Sequence, residues 1–247
     1  MTIPTRNILG FEVLDATTEG ATQIIDAAID RGPLMIAFVN AHVSNVAAKN
    51  HDLSDALRAA LLLNDGIGVD LAAKLLHGRY FMENLNGTDF VPRFLATTRH
   101  HFRIFAVGAE AGVAARALEK LRQAAPDHDY IGARDGYFAP DQRATVAAEV
   151  RQTGANLVLV ALGTPYQEIW TKTELITPDG PSVICVGGLL DFLAENKPRA
   201  YPWVRRLRCE WLFRLLVEPS RLWRRYLVGN IVFMARLFRA RLASRLG

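Results

Sequence analysis

The chain has 247 residues, half of them hydrophobic, and a formal net charge of +4, which is ample for a large buried core. Its two cysteines, Cys185 and Cys209, exclude a disulfide-stapled framework and fit a reducing compartment. Met1 is followed by no apolar leader, and the longest late apolar stretch, 227–238, is broken by Asn230 and Arg236. A spanning helix needs about 20 apolar residues, so a cytoplasmic protein that does not cross a bilayer is expected.

Short apolar runs alternate with helical patterns over the first two hundred residues, the signature of an α/β fold with a largely parallel, Rossmann-like sheet. The first strand is expected at 34–39 and ends in Asn40-Ala41-His42. Asn40 there suits a sugar or a base, or simply turns the chain into a helix near His42. Next comes the apolar run 61–63, followed by Asn64-Asp65-Gly66-Ile67-Gly68. An acid at a strand end, beside glycines that admit close backbone approach, can be a general base. It can equally cap the helix expected at 69–76.

Further strands are expected at 102–107, 157–162 and 182–186, with helices at 112–125 and 141–153 stopped by Pro126 and Gly154. The segment 107–112 is strand-glycine-helix but lacks the third glycine of a dinucleotide fingerprint, so an NAD-dependent oxidoreductase is poorly supported. Segment 162–168 ends a strand and opens a helix with Pro165 near its first position, placing Gln167 and Glu168 in the first turn.

Pro198 and Pro202 mark a boundary between a core of residues 1–200 and an appendage of residues 201–247, read as two helices split near Pro219. From Arg199 onward stand twelve arginines and two acids, Glu210 and Glu218, a net +10 that leaves −6 on the preceding 198 residues. Helical spacing brings Arg214, Arg221 and Arg225 near one face. Arginines interleaved with Trp203, Trp211, Phe213, Trp223, Ile231 and Phe233 point to a surface that is both anionic and greasy, a membrane interface or a lipid-linked phosphate. Nucleic acid would not require so much aliphatic surface, so no nucleic-acid partner is expected. Self-association into a homo-oligomer is expected where no lipid covers that face.

Taken in order, Asn40-Ala41-His42, Asp65-Gly66-Ile67-Gly68, Gly87-Thr88-Asp89, Gly163-Thr164-Pro165-Tyr166-Gln167-Glu168 and Gly187-Gly188-Leu189-Leu190-Asp191-Phe192 resemble the WecG/TagA/CpsF family, glycosyltransferase family 26. Glu210-Trp211, Arg214-Leu215, Glu218-Pro219 and Arg224-Arg225-Tyr226 extend the resemblance to the end of the chain. It implies an inverting enzyme on the cytoplasmic face of the inner membrane. Such an enzyme moves a sugar from a UDP-sugar onto an undecaprenyl-diphosphate-linked sugar.

By that resemblance Asp65 is the catalytic base, which overrides its reading as a cap, and Asn40 and Gln167 contact substrate. His42, Asn84, Asn86, Thr88, Asp89 and Asp191 are expected to bind substrate through the same motifs. Arg214, Arg221 and Arg224, with Arg225 beside them, are expected to hold the lipid diphosphate. No cofactor is implied. The sequence is read as lacking the Asp-x-Asp arrangement that metal-using glycosyltransferases often display, so metal-independent transfer is expected, with arginines stabilising the leaving diphosphate.

Two positions depart from the family pattern. Phe38 stands where many relatives have Thr, and Asn84 where many have Arg. The run Asn84-Leu85-Asn86-Gly87-Thr88-Asp89-Phe90 resembles the branch of xanthan- and acetan-type exopolysaccharide glucosyltransferases. That branch implies β-1,4 transfer of glucose from UDP-glucose onto glucosyl-diphospho-undecaprenol. Other branches transfer N-acetylmannosamine sugars onto N-acetylglucosaminyl-diphospho-undecaprenol, and a noncatalytic membrane scaffold is the reading that forgoes chemistry.

Overall fold

In the computed structural model, residues 3–198, 200–201, 204 and 210–246 are described, the side chains of 221 and 244–246 excepted. Eight strands form one sheet: β1 (Thr5–Ile8), β2 (Phe11–Leu14), β3 (Met35–Val39), β4 (Leu61–Asn64), β5 (Arg103–Gly108), β6 (Asp129–Arg134), β7 (Leu157–Ala161) and β8 (Ser182–Cys185). Their order across the sheet is β1-β2-β4-β3-β8-β7-β5-β6. Only the β1–β2 pair is antiparallel. The central strand β3 is buried at all five positions, as a strand covered on both faces must be, and this explains its unbroken apolar sequence.

Helices cover both faces of the sheet. On one side α1 (Thr18–Ile29), α5 (Gly87–Thr97), α6 (Val113–Ala124) and α9 (Leu189–Leu193) bury Ile25, Phe90, Phe94, Leu118 and Leu190. On the other, α2 (Ala41–Ala47), α3 (His51–Arg58) and α4 (Ile67–His77) bury Val43, Leu57 and Val69. The third core group lies under α7 (Arg143–Gln152) and α8 (Tyr166–Trp170), centred on Trp170. Local chemistry sets the helix ends: Thr17 caps α1 by accepting from the Gly20 N–H, and Gly78, at φ 78°, closes α4.

Three elements were not expected from the sequence. The β1–β2 hairpin turns at Leu9-Gly10, both at positive φ, and it buries an Arg6–Asp15 ion pair at 2.6 Å. The edge strand β6 is charged and carries Gly132, which reads as loop. An Asp-x-Asp triplet, Asp127-His128-Asp129, leads into β6 at the amino ends of the parallel strands, away from the carboxyl-end loops. Both ring nitrogens of its His128 are bonded to backbone, at Phe102 and Leu95, so the triplet is a structural turn.

Among the described residues the C-terminal arm comprises α10 (Glu210–Val217) and, after Glu218 at φ −129°, a continuous helical run of α11 (Pro219–Trp223), one wide π turn (Arg224–Val228) and α12 (Gly229–Leu246), split at Pro219 as expected. Trp203 and Cys209 lie outside the described residues. The last helix is docked on the body. Phe233 and Leu237 enter the core group of α2 and α4, and Arg236 donates to the Ser44 carbonyl (2.8 Å) and to Asn45 Oδ1 (2.9 Å). Outward-facing apolar side chains remain along the arm, Leu216 at 74% and Ile231 at 71% exposure among them. Among the described residues no helix is long and apolar enough to cross a membrane.

Candidate active site

Chain order reverses between β3 and β8, and in a parallel sheet such a switch opens a crevice beyond the carboxyl ends of the strands. A cleft of about 880 Å³ lies there, walled by the loops after β3, β4, β7 and β8 and by the arm. Asn40 leaves β3 as the cap of α2, with its Oδ1 accepting from the Val43 N–H at 3.0 Å. Its Nδ2 donates to Asp65 Oδ2 at 2.9 Å. One amide therefore turns the chain into a helix and aims a carboxylate.

Asp65 is not a cap. The N-cap of α4 is Gly66 at φ 87°, with no side-chain bond, and this conformation frees Asp65 to face the cleft. The Asp65 N–H is fixed on the Val39 carbonyl at 2.9 Å, and Asn40 takes one carboxylate oxygen. Its Oδ1 has no hydrogen-bond partner among the described residues, and Asp65 lines the cleft. That is the arrangement a general base needs: an oriented carboxylate with one open oxygen.

The segment after α4 is stitched onto this strand end. Buried Asn64 donates to the Glu83 carbonyl (2.9 Å) and accepts from the Leu85 N–H (3.3 Å). Asn84 Oδ1 accepts from the Gly66 N–H at 3.0 Å, so its amide braces the Asp65 loop from within the cleft wall. Asn86 caps α5 and bonds Asp89 through both backbone and side chain. Both line the cleft, as does Thr88. Phe38 lies flat against Gly87, where an added Cβ would come within 3.1 Å of its ring. A side chain at 87 would need the Phe38 ring to give way by a few tenths of an ångström.

Across the cleft Gln167 and Glu168 are buried at the start of α8. Gln167 Oε1 accepts from the Gly187 N–H (3.2 Å), and its Nε2 donates to Glu168 Oε1 (2.8 Å). Thr164 Oγ1 donates to the same oxygen at 2.8 Å. Asp191 lines the cleft, with Oδ1 on Asn196 Nδ2 (3.0 Å) and Oδ2 near Lys197 Nζ (3.7 Å). Lys197 also reaches Glu218 of the arm at 3.8 Å. Beyond α8 the floor continues under Ala109 and Gly136 to the exposed ring of Tyr137. At Gly136 a Cβ would lie 2.9 Å from Gly108 Cα, so this floor is kept flat by glycine. Tyr137 and Lys197 were not anticipated, and no motif spacing marks them; Thr164 stands in the 163–168 motif but was given no role.

Arg214 and Arg225 of the arm enter the cleft wall, with Trp211 and Tyr226. The Arg214 guanidinium sits 4.5 Å from the Phe192 ring centroid and 3.5 Å from Glu210. Arg224 does not join them: it is exposed over the Trp223 ring. The Arg221 side chain lies outside the described residues. Helical spacing placed Arg214 and Arg225 near one face, and both reach the cleft; Arg224, expected there from the family resemblance alone, does not. His42 is in the wall, where burial first and the Arg225 charge second lower its pKa to about 4, so it is neutral near pH 7. No group of three His, Cys, Asp or Glu that could hold a metal ion is found among the described residues.

Residues 6–247 match the sequence profile of the glycosyl transferase WecG/TagA/CpsF family. The chain belongs to that family. It is a glycosyltransferase, and one similar protein is the N-acetylglucosaminyldiphosphoundecaprenol N-acetyl-beta-D-mannosaminyltransferase of Bacillus subtilis (strain 168). That relative is 32% identical over 196 residues, which are 78% of this chain and 75% of the relative.

Proposed function

We propose that this glycosyltransferase moves N-acetylmannosamine from its UDP conjugate onto an N-acetylglucosaminyl-diphospho-undecaprenol acceptor, with inversion and with Asp65 as the base. The observation that carries the reading is the open carboxylate oxygen of Asp65, held by Asn40 in a cleft completed by arginines. The acceptor hydroxyl oxygen bonds to the anomeric carbon as the bond from that carbon to the UDP oxygen breaks. The hydroxyl proton passes to Asp65. Arg214 and Arg225 face the charge of the leaving diphosphate and of the lipid-linked diphosphate, a role that planar, permanently charged guanidinium groups suit. The sugar follows the activity of the similar protein from B. subtilis, which favours N-acetylmannosamine over the glucose expected from residues 84–90.

The exposed apolar residues of the arm, set among its arginines, support work at an anionic membrane surface from which the lipid-linked acceptor is drawn. Glucose transfer is the second reading, resting on the wording of residues 84–90 and on the Phe38–Gly87 contact that shapes the same wall. Two paired assays separate the two. UDP-N-acetylmannosamine is offered with a short-chain N-acetylglucosaminyl-diphospho-lipid, and UDP-glucose with the glucosyl-diphospho-lipid. Product in the first pair alone is expected; product in the second alone would move the enzyme to the glucosyl branch. Transfer that requires a divalent ion and stops on chelation would contradict the arginine-based account of the leaving group.

A further inference from the structure

Glu168 is 1% exposed and its Oε2 has no hydrogen-bond partner, although the residue borders the cleft. The other oxygen, Oε1, accepts from both Gln167 Nε2 and Thr164 Oγ1. No cation among the described residues is paired with this carboxyl. An ionised carboxylate would therefore leave half its charge on a buried oxygen with no donor, which is costly. If the group is neutral, the double acceptor must be the carbonyl oxygen, and the proton belongs on Oε2. Burial also pushes the carboxyl up from its ordinary value, against the downward pull of those same hydrogen bonds.

Of the titratable and charged groups on the elements packed around it, the Cys185 thiol of β8 feels its charge. His51, Asp52, Asp55 and Arg58 of α3, and Lys172 and Glu174 beyond α8, do not shift it. The orientation of Gln167 depends on this carboxyl. With Glu168 Oε1 as acceptor, the Gln167 amide nitrogen points one way and its oxygen the other, onto the Gly187 N–H at the turn leading to Asp191.

We propose that Glu168 is a positioning residue that works as a neutral carboxylic acid. Its Oε1 is fixed as a double acceptor and its proton rests on Oε2. Gln167 and the Gly187 turn are thereby held for the substrate without adding an anion to a cleft that must accept two diphosphates beside the Asp65 carboxylate. A second anion there would repel both substrates. The kinetic consequence rests on the glycosyl-transfer reading; the protonation state does not.

Glu168→Gln preserves the shape, the acceptor and a donor in place of Oε2–H, while Glu168→Ala removes all three. Infrared difference spectra of wild type minus Glu168→Gln near neutral pH are expected to show the carbonyl band of a protonated carboxylic acid. Carboxylate bands alone would overturn the proposal. Stability gives a second readout. The folded group keeps its proton above 4.5 while the unfolded one releases it, so wild type is expected to lose stability relative to Glu168→Gln as pH rises through that window. Parallel stability curves would overturn it.

In transfer assays Glu168→Gln is expected to keep kcat and its pH profile within about threefold of wild type. Glu168→Ala, with its fold checked by circular dichroism, is expected to lose about 10- to 100-fold in kcat, the scale of a small misplacement. Equal damage by both variants would show that the charge is required, and an undamaged Ala variant would show that Glu168 positions nothing. Absence of transfer by wild type would count against the reaction alone, since the spectra and stability curves decide the protonation.

Discussion

At the strand ends of the body, polar side chains in the cleft are already bonded to the protein: Asn40 to Val43 and Asp65, Asn84 to Gly66, Gln167 to Gly187 and Glu168. In the arm, by contrast, Arg214, Arg224 and Arg225 rest against aromatic rings at 4.5 to 5.6 Å. Hydrogen bonds of the first kind fix a direction before substrate arrives, as chemistry at one carbon requires. Stacked guanidinium groups keep their permanent charge, as recognition of a mobile diphosphate requires. The body thus supplies geometry and the arm supplies charge and apolar surface.

The largest effect is expected at the geometric end. Asp65→Asn keeps the hydrogen bond to Asn40 within reach but removes the base, and turnover should fall about 10²- to 10⁴-fold with the melting temperature nearly unchanged. Single-turnover assays with saturating substrates check this. Next is Asn40→Ala, which releases Asp65 and uncaps α2 together. Turnover is expected to drop about 10- to 100-fold, and denaturant unfolding should show a loss of about 1 kcal/mol for the cap.

The arm should respond differently. Leu216→Asp and Ile231→Asp place charge on exposed apolar positions, so retention on anionic vesicles should fall in sedimentation assays. Stability should stay within about 0.5 kcal/mol of wild type.

The last comparison is a pH slope at His42, where body and arm meet. Burial and Arg225 lower its pKa from 6.5 to about 4, so the unfolded chain takes up a proton there before the folded one does. Stability is therefore lost as pH falls from 6.5 toward about 4, and His42→Gln should flatten that part of the stability curve.

Runs such as Met35–Val39 and Leu157–Ala161 were legible because a strand buried on both faces has no polar alternation to obscure it. Thr5–Ile8 and Asp129–Arg134 were not. Their charges look solvated until Arg6 is seen to pair with Asp15, and Gly132 reads as a break until it is seen facing Phe105 across the edge. The site was legible as strand-end motifs, yet the choice between base and cap for Asp65 turned on the φ of Gly66, which no sequence displays. Among the arm's arginines, helical spacing singled out Arg214 and Arg225, which both reach the cleft, whereas Arg224, taken from the family resemblance, stands out over Trp223. Glu168 was visible as a letter, but its role depends on burial and on which oxygen its neighbours occupy.

The division of labour is tested most directly by the steady-state constants of Arg214→Ala and Arg225→Ala for each substrate. The lipid-linked acceptor KM should rise about tenfold or more, the cost of one charge-assisted hydrogen bond. UDP-sugar KM should stay near wild type, while kcat falls with the charge lost from beside the leaving diphosphate. A fall in kcat with both KM values unchanged, the pattern expected of Asp65→Asn, would contradict the account by leaving these arginines no hold on the lipid-linked acceptor.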